Sequence, residues 1–247
     1  METTTPKCNF CETMGIQPHC HNCKMMKQLQ GATRLPREIE DSLEEMIAKI
    51  ESNENDYAVG DWKKIPTLLG DVVIYLLEKN HDFMDDEEQT LTFTFGVLSF
   101  PAMQRMNPTD TNAGGWKDSY MRKFLQNVLN LLPLVLQEHI VPVKKTTSIG
   151  QRSYEIDATE DKLWCFSEVE VFGTSRYSAS GEGEQYDFFK SPVNRQRFTG
   201  YYYTWLRSPY TGSSYTFCSV GSGGSAGYNG AGSSYGVSFG FCIASRI

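Results

Sequence analysis

Ile39, Leu43, Met46 and Ile50 recur at spacings of four and three residues, with Ile47 widening the stripe, so Arg37 to Ser52 reads as an amphipathic helix. Pro36 stands at its start, and Glu38, Glu40, Asp41, Glu44 and Glu45 crowd its first half, where the helix dipole favours acids. Such a short stripe reads first as a helix packed on its own domain, with self-association as the alternative. Beyond the polar joint Ser52–Asp56, Tyr57 to Trp62 reads as a strand running into a turn, and Leu68 to Lys79 is an apolar run with a helical option. Leu91 to Phe100 alternates Thr with large residues as a strand does. Trp116, Tyr120, Phe124, Val128 and Leu131 share a helical face, and Pro133 divides that stretch into two helices. Val141–Thr147 and Leu163–Phe172 read as strands, the latter placing Glu168 and Glu170 together on a solvated face. No βαβ unit repeats, so the pattern predicts an α+β domain with antiparallel strands.

Charge changes the picture at one end. The 247 residues carry a net charge of −7, yet positions 191–247 contain no Asp, Glu or Lys and only Arg195, Arg197, Arg207 and Arg246. The body is therefore net acidic without a basic stripe, which argues against nucleic-acid binding. No apolar run is long enough to span a membrane, and Met1–Lys7 leads into a Cys-rich segment with no signal-peptide core, so synthesis in the cytoplasm is expected.

That segment holds Cys8-x2-Cys11 and Cys20-x2-Cys23, two knuckles suited to tetrahedral zinc, with His19 or His21 as a substitute ligand. The expected cofactor is one structural zinc ion that folds and clips residues 1–30. Residues 31–56 would then be helix and linker, and 57–247 the main domain. Catalytic patterns are weak. The two G-x-S-x-G matches, Gly223–Gly227 and Gly232–Gly236, fall in a Gly/Ser-rich stretch with no His downstream. Asn107-Pro-Thr-Asp110 is a turn without the carboxylate density that calcium requires. A non-enzymatic role is expected.

The distinctive stretch is 210–236. It is built from Tyr, Ser, Gly and Asn, the composition of binding loops, in which Tyr supplies rigid contact area and small residues adaptable hydrogen bonds. It contains no Lys, Glu, Gln, Met or Trp, the residues that an Asn codon randomised at its adenines cannot encode.

Trp205-Leu-Arg-Ser-Pro209 and Gly236-Val-Ser-Phe-Gly-Phe-Cys-Ile243, with Gly60-Asp-Trp62, Trp116-Lys-Asp-Ser-Tyr-Met-Arg122 and Ser167-Glu-Val-Glu-Val-Phe-Gly173, resemble an uncharacterised domain family of gut bacteria and their phages. The resemblance covers about residues 57–247. It implies a C-type-lectin-like fold related to formylglycine-generating enzymes, shared with the variable proteins of diversity-generating retroelements. Their C-terminal segment, here 205–243, carries adenine-diversified positions on a constant scaffold. The display positions so implied are Ser213, Ser214, Tyr215, Ser219, Gly221, Gly223, Ser225, Gly227, Tyr228, Asn229, Gly230, Gly232, Ser233 and Tyr235, with Tyr228 and Tyr235 as anchors. Phe217, Cys218, Val220, Ala226, Ala231, Val237, Phe239 and Phe241 are the implied scaffold, Trp205 packs, and Arg207 pairs with a carboxylate. The Glu-Pro-Asn and Gln-Pro-Asp tripeptides of calcium-dependent lectins are missing, so no calcium is expected, and Cys218 and Cys242 are too far apart in sequence for the enzymes' Cys pair. The expected role is a receptor or ligand binder on a phage tail or cell surface, its partner an unknown protein or surface ligand, self-assembled or docked through the zinc segment and helix. The alternatives are an interaction domain with a fixed Gly/Ser-rich loop and, third, an enzyme of the formylglycine-generating type.

Overall fold

The computed structural model describes residues 34–84, 90–198 and 200–245. The chain divides into two compact units, Met1–Arg37 and Glu38–Ile247. The candidate zinc ligands Cys8, Cys11, Cys20 and Cys23 lie outside the described residues. Among the described residues no group of three or more His, Cys, Asp or Glu could hold a metal ion, and no helix is long and apolar enough to cross a membrane.

The second unit is α+β, as the alternating patterns predicted. Its first helix, α1 (Leu43–Glu51), begins later than the apolar stripe suggests. Ser42 accepts from the Glu45 backbone while the Glu45 side chain reaches back to the Ser42 N–H, a capping box that outcompetes Pro36 as the start signal. Met46, Ile47 and Ile50 are buried with Phe95 and Phe241, so this helix packs on its own domain.

Strands β1 (Trp62–Ile65), β2 (Val72–Lys79), β3 (Thr92–Arg105), β7 (Tyr203–Pro209), β8 (Thr216–Gly221), β9 (Ala226–Gly230) and β10 (Ser234–Ala244) form one sheet in the order β1-β2-β3-β10-β7-β8-β9, with β4 (Ile140–Val141) also on β10. The run 68–79 is thus a strand. Gly70 at φ +118° breaks any helix there, and Val72, Val73 and Ile74 are β-branched. Between β3 and β10 lie α2 (Tyr120–Leu129) and α3 (Leu134–His139), divided at Pro133 as predicted. A hairpin of β5 (Val143–Ser148) and β6 (Ile156–Asp161) stands as a separate two-stranded sheet. The predicted strand 163–172 is instead a single bridge, Trp164 to Gly240, followed by the short helix α4 (Glu168–Phe172). Ser167 and Glu170 form its capping box, which turns the chain into a helix before a strand can propagate. Two further turns of helix follow, α5 (Asp187–Lys190) and α6 (Pro192–Arg195).

The sheet is covered on both faces. Trp205 and Phe217 join the core that contains α1, whereas their neighbours Leu206, Cys218 and Val220 join a second cluster around Phe166, Phe189 and Phe198. Gly96 and Gly240 are register partners at the centre. A β-carbon at Gly240 would lie 2.9 Å from Trp164, and one at either glycine 3.0 Å from Phe166, so the pair leaves the flat spot those rings occupy.

Candidate ligand-binding face

The Gly/Ser/Tyr stretch is three strands and their turns rather than a loop. Thr216, Cys218 and Val220 alternate with Phe217 and Ser219, so β8 is buried on both sides and can serve as the middle of a ribbon. Gly221 N–H donates to the Ser225 carbonyl at 2.8 Å, closing the β8–β9 turn around Gly224, whose φ of +78° suits glycine.

Register then sorts the side chains. Trp205 faces Ser219, and Ser219 faces Gly227; Tyr203 faces Gly221 and Phe217 faces Asn229. These share one side of the ribbon, where Asn229 Nδ2 donates to Ser219 Oγ at 2.9 Å. Tyr235 joins that side through rings 5.2 Å from Tyr203 and 5.1 Å from Trp205. Tyr228, opposite Cys218, faces the other way and stacks on Tyr210 at 4.3 Å, with Tyr177 edge-on. The two aromatic anchors therefore stand on opposite faces.

Exposure separates the remaining candidates. Gly223, Ser225 and Tyr215 are exposed, and Ser214, Gly227, Asn229, Gly230, Gly232 and Ser233 are partly so. Ser213, Ser219 and Gly221 are buried. The backbone at 213–214 is pinned by Asn112, whose Nδ2 donates to Ser213 O at 2.8 Å and whose N–H donates to Ser214 O at 3.0 Å. Asp110 Oδ1 accepts from Gly232 N–H at 2.7 Å and would lie 2.8 Å from a β-carbon at Gly230. By contrast, the apolar positions Phe217, Cys218, Val220, Ala231, Val237, Phe239 and Phe241 are all buried, and Ala226 partly so.

Beside the ribbon, Met103, Tyr201, Tyr202, Ser222, Ser234 and Tyr235 line a groove of about 480 Å³ that, among the described residues, is lined by no charged side chain. Tyr202 is 85% exposed and Met103 50%. Sequence reasoning singled out none of Tyr201, Tyr202 and Met103. The exposed side of a strand beside a tyrosine cluster was the available signal.

The larger surprise is a buried ionic network. Arg207 forks onto Glu170, Nη1 to Oε2 at 2.5 Å and Nη2 to Oε1 at 2.9 Å. Lys145 donates to Asp82, to Glu170 Oε1 at 2.8 Å and to Tyr186 Oη at 3.0 Å, so its three donors are all engaged. The expected pairing of Arg207 with a carboxylate is found. The expected solvated face for Glu168 and Glu170 is not: both are buried, because Glu170 answers two cations and Glu168 Oε2 accepts from the backbones of Tyr177 and Ser178. Burial opposes ionisation of Asp82 and Glu170, but Lys145 beside both, His81 beside Asp82 and Arg207 beside Glu170 hold both pKa values below the ordinary range. A cavity of about 730 Å³ opens next to this network. Its inner charges satisfy one another, which makes the network a structural cross-brace between β5, α4 and β7.

Glu182 accepts from Ser148 N–H and sits at the edge of this brace; burial raises its pKa from 4.5 to about 7. The folded state binds this proton more tightly than the unfolded chain. The associated stability is therefore full below pH 4.5 and is lost as pH rises through about 7, a change of about 3 kcal/mol. Burial depresses the His81 ring, but Asp82 outweighs it and its pKa ends raised, so His81 adds a slope of the same sign above 6.5. Denaturant melts between pH 4.5 and 8 should show Glu182→Gln with a flatter profile than the wild type; parallel profiles would refute this assignment.

Residues 87–245 match the family model described as Domain of unknown function (DUF6273). No curated protein and no solved structure matches the chain.

Proposed function

The chain belongs to this DUF6273 family, and from that premise we propose that it is a non-enzymatic ligand or receptor binder whose C-terminal ribbon is a hypervariable display face. The observation that carries the reading is the sorting of the ribbon: its apolar positions are buried in the two cores while Tyr203, Tyr215, Tyr228 and Tyr235 reach the surface among Gly and Ser. Rigid aromatics on small neighbours are what adaptable contact surfaces use. The fold would be C-type-lectin-like, with 205–243 as the variable-type segment of a diversity-generating retroelement target.

Burial pushes the Cys218 and Cys242 thiols well above their ordinary pKa, which supports a reading without thiol oxidase chemistry. The protein would be made in the cytoplasm and act on a phage tail or cell surface, independent of nucleic acid, membrane insertion and calcium. A fixed sequence is favoured at the buried positions Ser213, Ser219 and Gly221, and at Gly230 and Gly232, where Asp110 stands 2.8 Å and 3.0 Å from any added β-carbon.

The retroelement reading requires, in genomic DNA, a nearby reverse-transcriptase gene and a near-copy of the 205–243 coding segment that differs only at adenines. A locus with neither refutes it. For the attachment module, a structural zinc on Cys8, Cys11, Cys20 and Cys23 predicts about one zinc equivalent per chain, lost in Cys8→Ser and Cys20→Ser. Metal-free wild type from zinc-supplemented expression ends that part of the proposal.

A further inference from the structure

We propose that the uncharged tyrosine groove, together with Arg105 on its border, binds an acidic segment of a partner protein through an aromatic or aliphatic side chain next to a carboxylate. The inference rests on the binding-face reading and deepens it. The groove straddles two kinds of position. Ser222, Ser234 and Tyr235 fall within 205–243, whereas Met103, Tyr201 and Tyr202 fall outside it, as does Arg105.

Arg105 is the register partner of Ser234 and lies two residues beyond Met103 on β3, so it stands on the groove side of the sheet. It is exposed, and among the described residues no hydrogen bond or ion pair engages its guanidinium. Arg122 is paired with Asp161 and Arg207 with Glu170, and the Arg195 guanidinium rests over Phe172 at 5.3 Å. From 191 to 245 the sequence holds no acid to answer Arg105, and Asp110 accepts from Gly232 N–H.

An arginine with no partner at an aromatic groove is a carboxylate site in waiting, and the bidentate pair it can form is directional. The groove supplies the apolar contact that an acidic flank alone would lack. On this arrangement Arg105, outside 205–243, sets the sign of the partner's charge, and Tyr235, the one display position among the lining residues, tunes the apolar contact.

The test is selection of a random dodecapeptide library on the immobilised full chain and on Arg105→Glu and Tyr202→Ala. Wild type should enrich peptides of net negative charge carrying at least one aromatic or large aliphatic residue. A peptide from that pool should bind Arg105→Glu and Tyr202→Ala at least tenfold more weakly, and weaken with added salt. Enrichment without charge bias, or equal binding to Arg105→Glu, overturns the proposal. So does binding of a sulfated oligosaccharide with no peptide enriched. Because the genomic comparison above does not depend on charge, failure here leaves the display-face reading to stand or fall separately.

Discussion

Replacing Arg207 with Met is expected to destabilise the domain by about 3–5 kcal/mol, since it removes one partner of a buried ion pair and leaves the other charged in the interior. Arg207 is fully buried, and each nitrogen is used: Nε donates to Thr147 Oγ1 at 3.0 Å, Nη1 to Cys165 O at 3.0 Å as well as to Glu170, and Nη2 to Glu182 O at 3.2 Å as well as to Glu170. One side chain thus ties β7 to β5 and to both ends of the 165–182 segment. Lys cannot reproduce this fork, so Arg207→Lys should also be destabilised. Pairing Arg207→Met with Glu170→Gln should recover part of the loss, because the stranded carboxylate is then gone. Urea denaturation reads all of these; a loss below about 1 kcal/mol for Arg207→Met, the range of an exposed pair, would contradict the buried brace.

Trp205→Ala should fall in a similar range, about 3–5 kcal/mol, for a different reason. The indole is fully buried in the core that holds α1, and its Nε1 donates to Gln104 O at 2.8 Å, joining β7 to β3 across the end of β10. Truncation opens a cavity under Tyr235, whose ring it supports at 5.1 Å. Trp205→Phe keeps most of the contact and should lose clearly less. Equal losses for Phe and Ala would mean that the hydrogen bond, rather than packing, holds the ribbon.

Much of the scaffold was legible because local signals agreed with the fold. Pro133 divides two helices, and the alternation in 91–100 does mark a strand. Two of the misread elements had a signal that was passed over: Ser42-x-x-Glu45 and Ser167-x-x-Glu170 both have capping-box spacing, and both start helices. The ionic network was not legible, since Lys145 meets Asp82 63 residues away and Glu170 meets Arg207 37 away. A carboxylate looks solvated in sequence until the fold brings its cation. The two-faced ribbon was hidden for another reason. In a Gly/Ser-rich stretch periodicity is faint, so that Tyr228 and Tyr235 face opposite ways could be read only from register.

The most direct measurement of the central claim is deep sequencing of the segment encoding 205–243 across a natural population of the locus. The display-face account predicts substitutions concentrated at codons that carry adenines in the near-copy, at surface positions such as Tyr215, Ser225, Gly227, Asn229 and Tyr235, with Phe217, Val220, Val237 and Phe239 unchanged. Change as frequent at those buried positions as at the tyrosines would contradict it.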